Sequence, residues 1–478
     1  MVNTAYASCS DLVAALRQRS VSALELFEAA VVRIEQLDPA LNAVVVRDFE
    51  RARTTALAAD RALAAGDRRP LLGVPITVKE SFNVAGLPTS WGLPDHRDWQ
   101  PRADAVAVAR LKAAGAVVLG KTNVPYALSD WQSANEIYGR TTNPWNFECT
   151  PGGSSGGGAA ALAAGLAALE LGSDLAGSLR APAHFCGIFS HRPSFGLIST
   201  RGHTPPVVEG AWPFDLAVIG PMARCAADLK LAFELLVNEN ALRSPTAPSL
   251  RSLRGARILV LDHHPLQPTA RAICAALDQL AGRLSAVGAI VSCSSSVRPD
   301  LALASTLFFQ LLKSNHRHPL LMRFLAKAPA VLDVFKQLAA ATETLLPDDS
   351  TAEPPDWPAL KKTRNELEAQ WRTVFEKWDV VLCPPMSTLA FHHNDTPPER
   401  RTIEIDQKAY RYFDQIAWPS VAIVPGLPAT VAPIGSDESG LPIGVQIIGP
   451  PHGDRTTIAV AALIEGEFGG FVPPPRYC

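Results

Sequence analysis

Apolar positions recur at helical spacing over residues 8–36, where two helices are expected. Ser10 or Asp11 would cap the first. The second follows Ser22 and carries Leu24, Leu26, Ala29, Val32 and Ile34. A further Ala/Arg-rich helix is expected over 49–65. The period then changes. LLGVPITVKE (71–80) is a short unbroken apolar run dense in β-branched residues, which reads as a buried strand ending on the charge of Lys79. A helix over 103–114 and the strand AVVLGKTN (116–123) complete a strand–helix–strand rhythm, which implies a βαβ unit and a parallel or mixed sheet. The polar stretch 129–146 breaks the pattern and reads as loop. The rhythm returns with ARILVLDH (256–263), a helix over 268–286 and AIVSCSS (289–295). A helix over 358–377 leads into DVVLCPP (379–385), then come a helix near 407–417, two apolar runs and a last helix over 454–466. Residues 302–345 read as helical with little strand signal. With no repeat or linker, one large α/β domain over 1–478 is expected, its core at about 65–230 and 375–466 and a helical cap at about 300–350.

Composition narrows the partners more than the fold. The chain is 47% hydrophobic and 19% charged with a formal net charge of −2, which gives no hold for nucleic acid or an anionic membrane. The first twenty residues lack the basic start and apolar run of a signal peptide. The most apolar segment, 159–169, is short of the roughly 20 residues a membrane helix needs. It is closed by Glu170 and reads as a buried core helix. Eight dispersed cysteines without a C-x-x-C pair argue against zinc and redox motifs, and reduced thiols fit a cytoplasmic protein.

Candidate chemistry concentrates in 150–187, TPGGSSGGGAAALAAGLAALELGSDLAGSLRAPAHFCG. Two small-residue clusters place serines beside close-packed backbone N–H groups, a combination that suits acyl transfer. A phosphate loop would need a Lys-Ser/Thr ending that GGSSGGG lacks. Gly152-Gly153-Ser154-Ser155-Gly156 satisfies G-x-S-x-G, but the preceding TTNPWNFECTP is a poor strand for a nucleophile elbow. His184, His191 and His203 could in principle serve a Ser-His-Asp triad; each reads more simply as structural. A lysine base is the third option. Burial at an apolar strand end would lower the pKa of Lys79, with the neighbouring Glu80 opposing the shift.

LLGVPITVKESFNVAGLPTSWG, GKTNVP, YGRTTNPWN, TPGGSSGGG and GSDLAGSLRAPAHFCG, with GLPATVAPIG and GLPIGVQIIGP in the tail, together resemble the amidase signature family of Ser-Ser-Lys hydrolases. The resemblance spans about residues 8–466. It implies a single domain with a central twisted mixed β-sheet covered by helices. It also implies an amidohydrolase that cleaves a carboxylic amide through a serine acyl-enzyme, without metal or organic cofactor. Lys79 matches the family's base, Ser178 its nucleophile, and Ser154 the bridging serine that follows a cis peptide. Backbone N–H groups of Leu175, Ala176, Gly177 and Ser178 would receive the oxyanion. Ser155, Asp174 and Arg180 match supporting positions. Tyr126, Leu128, Ser129, Asp130 and Trp131 match a segment lining the acyl pocket, with Phe308, Phe309, Leu320, Met322 and Phe324 as a candidate roof. Three positions depart from the family pattern: Ala176 replaces a glycine, Glu80 an aspartate and Gly158 a serine. An alanine at 176 would be strained if φ were positive there.

A small-molecule amide is the expected partner, and homodimers are common in the family. The glutaminase component of a tRNA-dependent amidotransferase is a rival, but it typically reads GSIRQPA and KPTYGRVS where this chain has GSLRAPA and HRPSFGLIS. A non-catalytic binding protein on the same scaffold is the alternative of a different class.

Overall fold

The computed structural model describes residues 4–208, 210–211, 216–238, 250–315 and 357–477. Helix α1 (Cys9–Arg17) starts from Ser8 rather than Ser10 or Asp11. The Ser8 side chain accepts from the Asp11 amide while the Asp11 carboxylate accepts from the Ser8 backbone, a reciprocal cap. Ser22 and Glu25 make the same box for α2 (Ala23–Leu41). Strand β1 (Val44–Arg47), too short to stand out in the pattern, and α3 (Phe49–Ala64) follow. The expected βαβ unit is β2 (Pro75–Lys79), α4 (Val106–Ala113) and β3 (Val117–Thr122). The polar loop after it holds only a minimal hairpin, β4 (Ala134–Asn135) and β5 (Gly139–Arg140).

The segment 159–169 is not one helix. Helix α5 (Gly156–Ala163) stops before Gly165, whose φ of +70° is left-handed. The chain then re-enters the sheet as β6 (Leu169–Asp174). Both elements are buried on all sides, so neither shows the one-sided periodicity that would have separated them. Next come α6 (Arg180–Cys186), β7 (Phe189–Arg192), β8 (Val218–Ala223) and α7 (Ala226–Leu236). The second unit is β9 (Arg257–Val260), α8 (Arg271–Ala286) and β10 (Ile290–Ser292). Helix α9 (Leu301–Asn315) bears out the start of the helical region. The remainder of the expected cap, with Leu320, Met322 and Phe324, lies outside the described residues.

Helix α10 (Trp357–Lys377) feeds β11 (Val380–Cys383) as expected. The helix expected near 407–417 is largely a hairpin, β12 (Thr402–Ile405) and β13 (Lys408–Arg411). Asp406 and Gln407 have φ of +49° and +68°, the paired left-handed conformation of a two-residue hairpin turn. A 3-10 turn then leads to α11 (Ala417–Ile423), β14 (Ala429–Ser436), β15 (Pro442–Ile448) and α12 (Asp454–Phe468).

Eleven strands form one mixed sheet in the order β1-β3-β2-β6-β8-β7-β14-β15-β11-β9-β10. Strands β3, β2 and β6 run parallel, as do β11, β9 and β10; the pairings between β6 and β11 are antiparallel. β2, β6, β8, β11 and β15 are buried along their whole length, as a sheet covered by helices on both faces requires. Because β2 and β6 are parallel, their carboxyl ends, Lys79 and Asp174, open on the same edge. The nucleophile candidate lies just beyond β6.

Candidate active site

Lys79 is the last residue of β2 and is wholly buried. Its Nζ donates to Ser154 Oγ at 2.7 Å and to Ser173 Oγ at 2.9 Å, with the Ser173 carbonyl at 3.5 Å. Burial pulls its pKa down to about 7, against the charges of Asp174 and Glu170. A large share of the lysine is therefore free amine at neutral pH. Glu80, adjacent in sequence, does not pair with it. Its carboxylate accepts from the amides of Ser90 (2.6 Å) and Trp91 (2.9 Å) and from the Ser90 hydroxyl. Successive side chains of an extended chain point to opposite sides, which separates the two groups.

Ser154 follows a cis Gly153–Ser154 peptide. Glycines let this loop lie against the backbone of its neighbours. A β-carbon at Gly153 would come within 2.3 Å of the Asp130 carbonyl, and one at Gly157 within 2.4 Å of the Asn123 nitrogen. The Ser155 amide donates to the Ser178 carbonyl at 3.2 Å and its hydroxyl to the Ser173 carbonyl at 3.3 Å, tying the two clusters together. The structure thus joins Lys79 to Ser154 by a hydrogen bond. No hydrogen bond joins Ser154 Oγ to Ser178 Oγ; such contacts commonly tighten only with substrate bound.

Asp174 holds the Ser178 loop in place. It accepts from the amides of Gly177 (3.0 Å) and Leu179 (3.1 Å), and from Arg180 Nε and Nη2, both at 3.0 Å. Arg192 Nη1 reaches its carboxylate at 3.3 Å. Although burial acts the other way, the Arg180 and Arg192 guanidiniums hold this carboxyl well below the usual range. Of the four amides expected around an oxyanion, that of Gly177 is already committed to Asp174. The left-handed conformation falls on Gly177 (φ +91°) and not on Ala176, so the alanine is unstrained. Gly177→Ala should cost at least about 1–2 kcal/mol for the left-handed alanine. Its methyl group would also meet Pro419 at 3.0–3.1 Å. Thermal unfolding and kcat/KM, both lowered, check this.

Leu128 lines an apolar cavity of about 70 Å³ that opens beside Ser178, together with Trp131, Leu175, Phe308, Phe309 and Phe413. Ser129 and Asp130 border it as well. The Ser129 hydroxyl turns back onto the Tyr126 carbonyl at 2.8 Å. Trp131 Nε1 donates to the Ala176 carbonyl at 2.9 Å, bracing the Ser178 loop from the pocket side. Three contributions escaped the sequence reading. Ser173 shares Lys79 with Ser154. Asp130 accepts from Arg401 Nη1 at 2.9 Å and from the Tyr412 hydroxyl at 2.6 Å, fixing the pocket wall. Gln446 accepts from Arg180 on the far side of the loop. The histidines are engaged elsewhere. His184 contacts the Thr388 carbonyl and the Gly444 amide, His191 contacts Thr430 and Asp454, and His203 contacts Ser81.

A buried lysine on one serine, with a second serine on an aspartate-anchored loop, is the arrangement expected of the resemblance. A family model, Amidase, matches residues 25–458. The chain belongs to the amidase signature family. Human fatty-acid amide hydrolase 2 is 31% identical over 494 residues, covering 98% of this chain and 90% of the relative. The matching component of the glutamyl-tRNA(Gln) amidotransferase of Roseiflexus sp. (strain RS-1) is 31% identical over 480 residues, covering 94% of each. The crystal structure of an amidase superposes with a TM-score of 0.77 at 26% identity, covering 97% of this chain and all of that one. Family membership makes the chain a hydrolase of C–N amide bonds. Among the described residues no helix is long and apolar enough to cross a membrane, and no group of His, Cys, Asp and Glu could hold a metal ion.

Proposed function

We propose that this amidase cleaves amides with an apolar acyl group through Lys79, Ser154 and Ser178. The observation that carries the reading is the 2.7 Å contact to Ser154 from a buried lysine whose pKa is pulled down to about 7. Neutral Lys79 takes the Ser154 proton as Ser154 takes that of Ser178. The Ser178 oxygen attacks the carbonyl, and the proton returns along the relay to the leaving nitrogen. Water, deprotonated by the same relay, then releases the acyl group. The amides of Leu175, Ala176 and Ser178 would receive the oxyanion, while Gly177 keeps the loop on Asp174.

The acyl preference follows from the cavity beside Ser178. Aromatic and aliphatic side chains dominate it, and its one carboxylate is already paired with Arg401. None of the described residues lining it is cationic, so the α-carboxylate of glutamine finds no partner there. This favours aryl or alkyl acyl amides over the glutaminase reading. A fluorophosphonate probe should label Ser178 in the wild type and not in Ser178→Ala. A panel of alkyl, aryl, anilide and ester substrates with glutamine should favour the apolar acyl groups. Absence of labelling would leave a binding protein as the better reading, and a preference for glutamine would restore the rival.

A further inference from the structure

Gly158, where the family usually has serine, faces a buried carboxyl group. A β-carbon at 158 would come 2.5–2.6 Å from Cγ, Cδ and Oε1 of Glu170. Glu170 lies on β6, in register with Thr77 of the strand that ends at Lys79. It is 1% exposed. Oε1 accepts from the Thr122 hydroxyl at 2.7 Å, whereas Oε2 has no hydrogen-bond partner. Burying a carboxyl group with one oxygen unsatisfied is costly, and the Thr77 and Thr122 hydroxyls beside it offset that cost only in part.

Glu170 lies on the same face of the sheet as Lys79, because its register partner Thr77 stands two residues before the lysine on β2, and it feels the lysine's charge. The other ionisable groups around Lys79 are compensated or neutral. Asp174, farther along β6, is ion-paired with Arg180 and Arg192. His203, beyond β7, is held neutral by burial, its pKa down to about 3. Lys121 of β3 donates to the Pro88 carbonyl and the Thr89 hydroxyl. Helix α5 and strand β8, packed on β6, contain no ionisable side chain. Among the described residues this leaves Glu170 as the carboxyl that acts on the lysine without an ion pair of its own.

We propose that Glu170 is a positioning residue for the relay, whose buried carboxylate sets the pH at which Lys79 becomes a free base. The inference rests on the reading of Lys79 as the base. Burial pushes Glu170 up to about 7 and pulls Lys79 down to about 7, so the two titrate in the same range and as a pair. Gly158 supplies the room that the carboxyl group needs.

The test is the acid limb of the kcat/KM pH profile on the full chain. Glu170→Gln keeps the shape and removes the negative charge, so Lys79 should lose its proton at lower pH. The limb should move down by about half to one pH unit. Glu170→Asp, which keeps the carboxylate, should bring the limb back toward the wild-type position. Should the glutamine variant fold poorly, Glu170→Ala with Gly158→Ser fills the space without charge and should show the same downward shift. A folded charge-free variant with the wild-type limb overturns the proposal. Lys79→Met separates the two readings. If it is inactive while the limb stays put in Glu170→Gln, this inference alone fails; if it is active, the lysine-base reading fails with it.

Discussion

Lys79→Met should abolish amide hydrolysis, lowering kcat/KM by about three orders of magnitude or more, as loss of a general base shared by both half-reactions requires. In the wild type kcat/KM should climb as pH rises through about 7, because the lysine then gives up its proton. Stability should move the other way from activity in the variant. The lysine pKa falls from 10.5 in the free side chain to about 7 in the folded protein, mainly through burial. Between those values the unfolded chain binds more protons than the native one, so wild-type stability rises with pH across that window. Methionine removes the titrating group, so the variant should lose that slope and be the more stable protein at neutral pH. Urea unfolding at several pH values, beside the pH–rate profile, reads both effects. An active Lys79→Met would sink the relay.

The second large effect is expected at Asp174. Its carboxylate lies between two wholly buried guanidiniums and carries the amides of Gly177 and Leu179. Asp174→Ala leaves both arginines charged, buried and short of a counter-ion, a change that costs about 3–5 kcal/mol. It also frees the loop bearing Ser178. The denaturation midpoint should fall sharply, and folded protein should react slowly with a serine-directed probe. A midpoint within error of the wild type would show that the remaining contacts hold the arginines without Asp174.

The candidate relay residues are legible because each sits in a contiguous signal. Lys79 closes an apolar strand, and Ser154 and Ser178 stand in Gly/Ser clusters dense enough to read from the chain alone. The family resemblance then supplied their roles. The structure explains two of the departures in physical terms: the strained φ belongs to Gly177, and Gly158 makes way for Glu170. Glu170 itself was misread because a charge after an apolar run looks like the end of a buried helix, whereas here it sits inside a strand. The anchor of the pocket wall was invisible for another reason. Asp130 and Arg401 are 271 residues apart, and no local period records such a partnership. The hairpin at 402–411 was hidden by side chains that would suit a helix; its turn is set by two left-handed residues, neither of them glycine.

The order of strands in the sheet has a consequence for synthesis. β14 and β15 emerge late from the ribosome, yet they lie in the middle of the sheet, bridging β7 to β11. A nascent chain of some 420 residues therefore carries two open strand edges, and the Arg180 side chain waits for Gln446. Edges of this kind recruit foreign strands. Chaperone demand in translation should peak just before β14 and β15 appear, and ribosomes stalled there should carry chains without amidase activity.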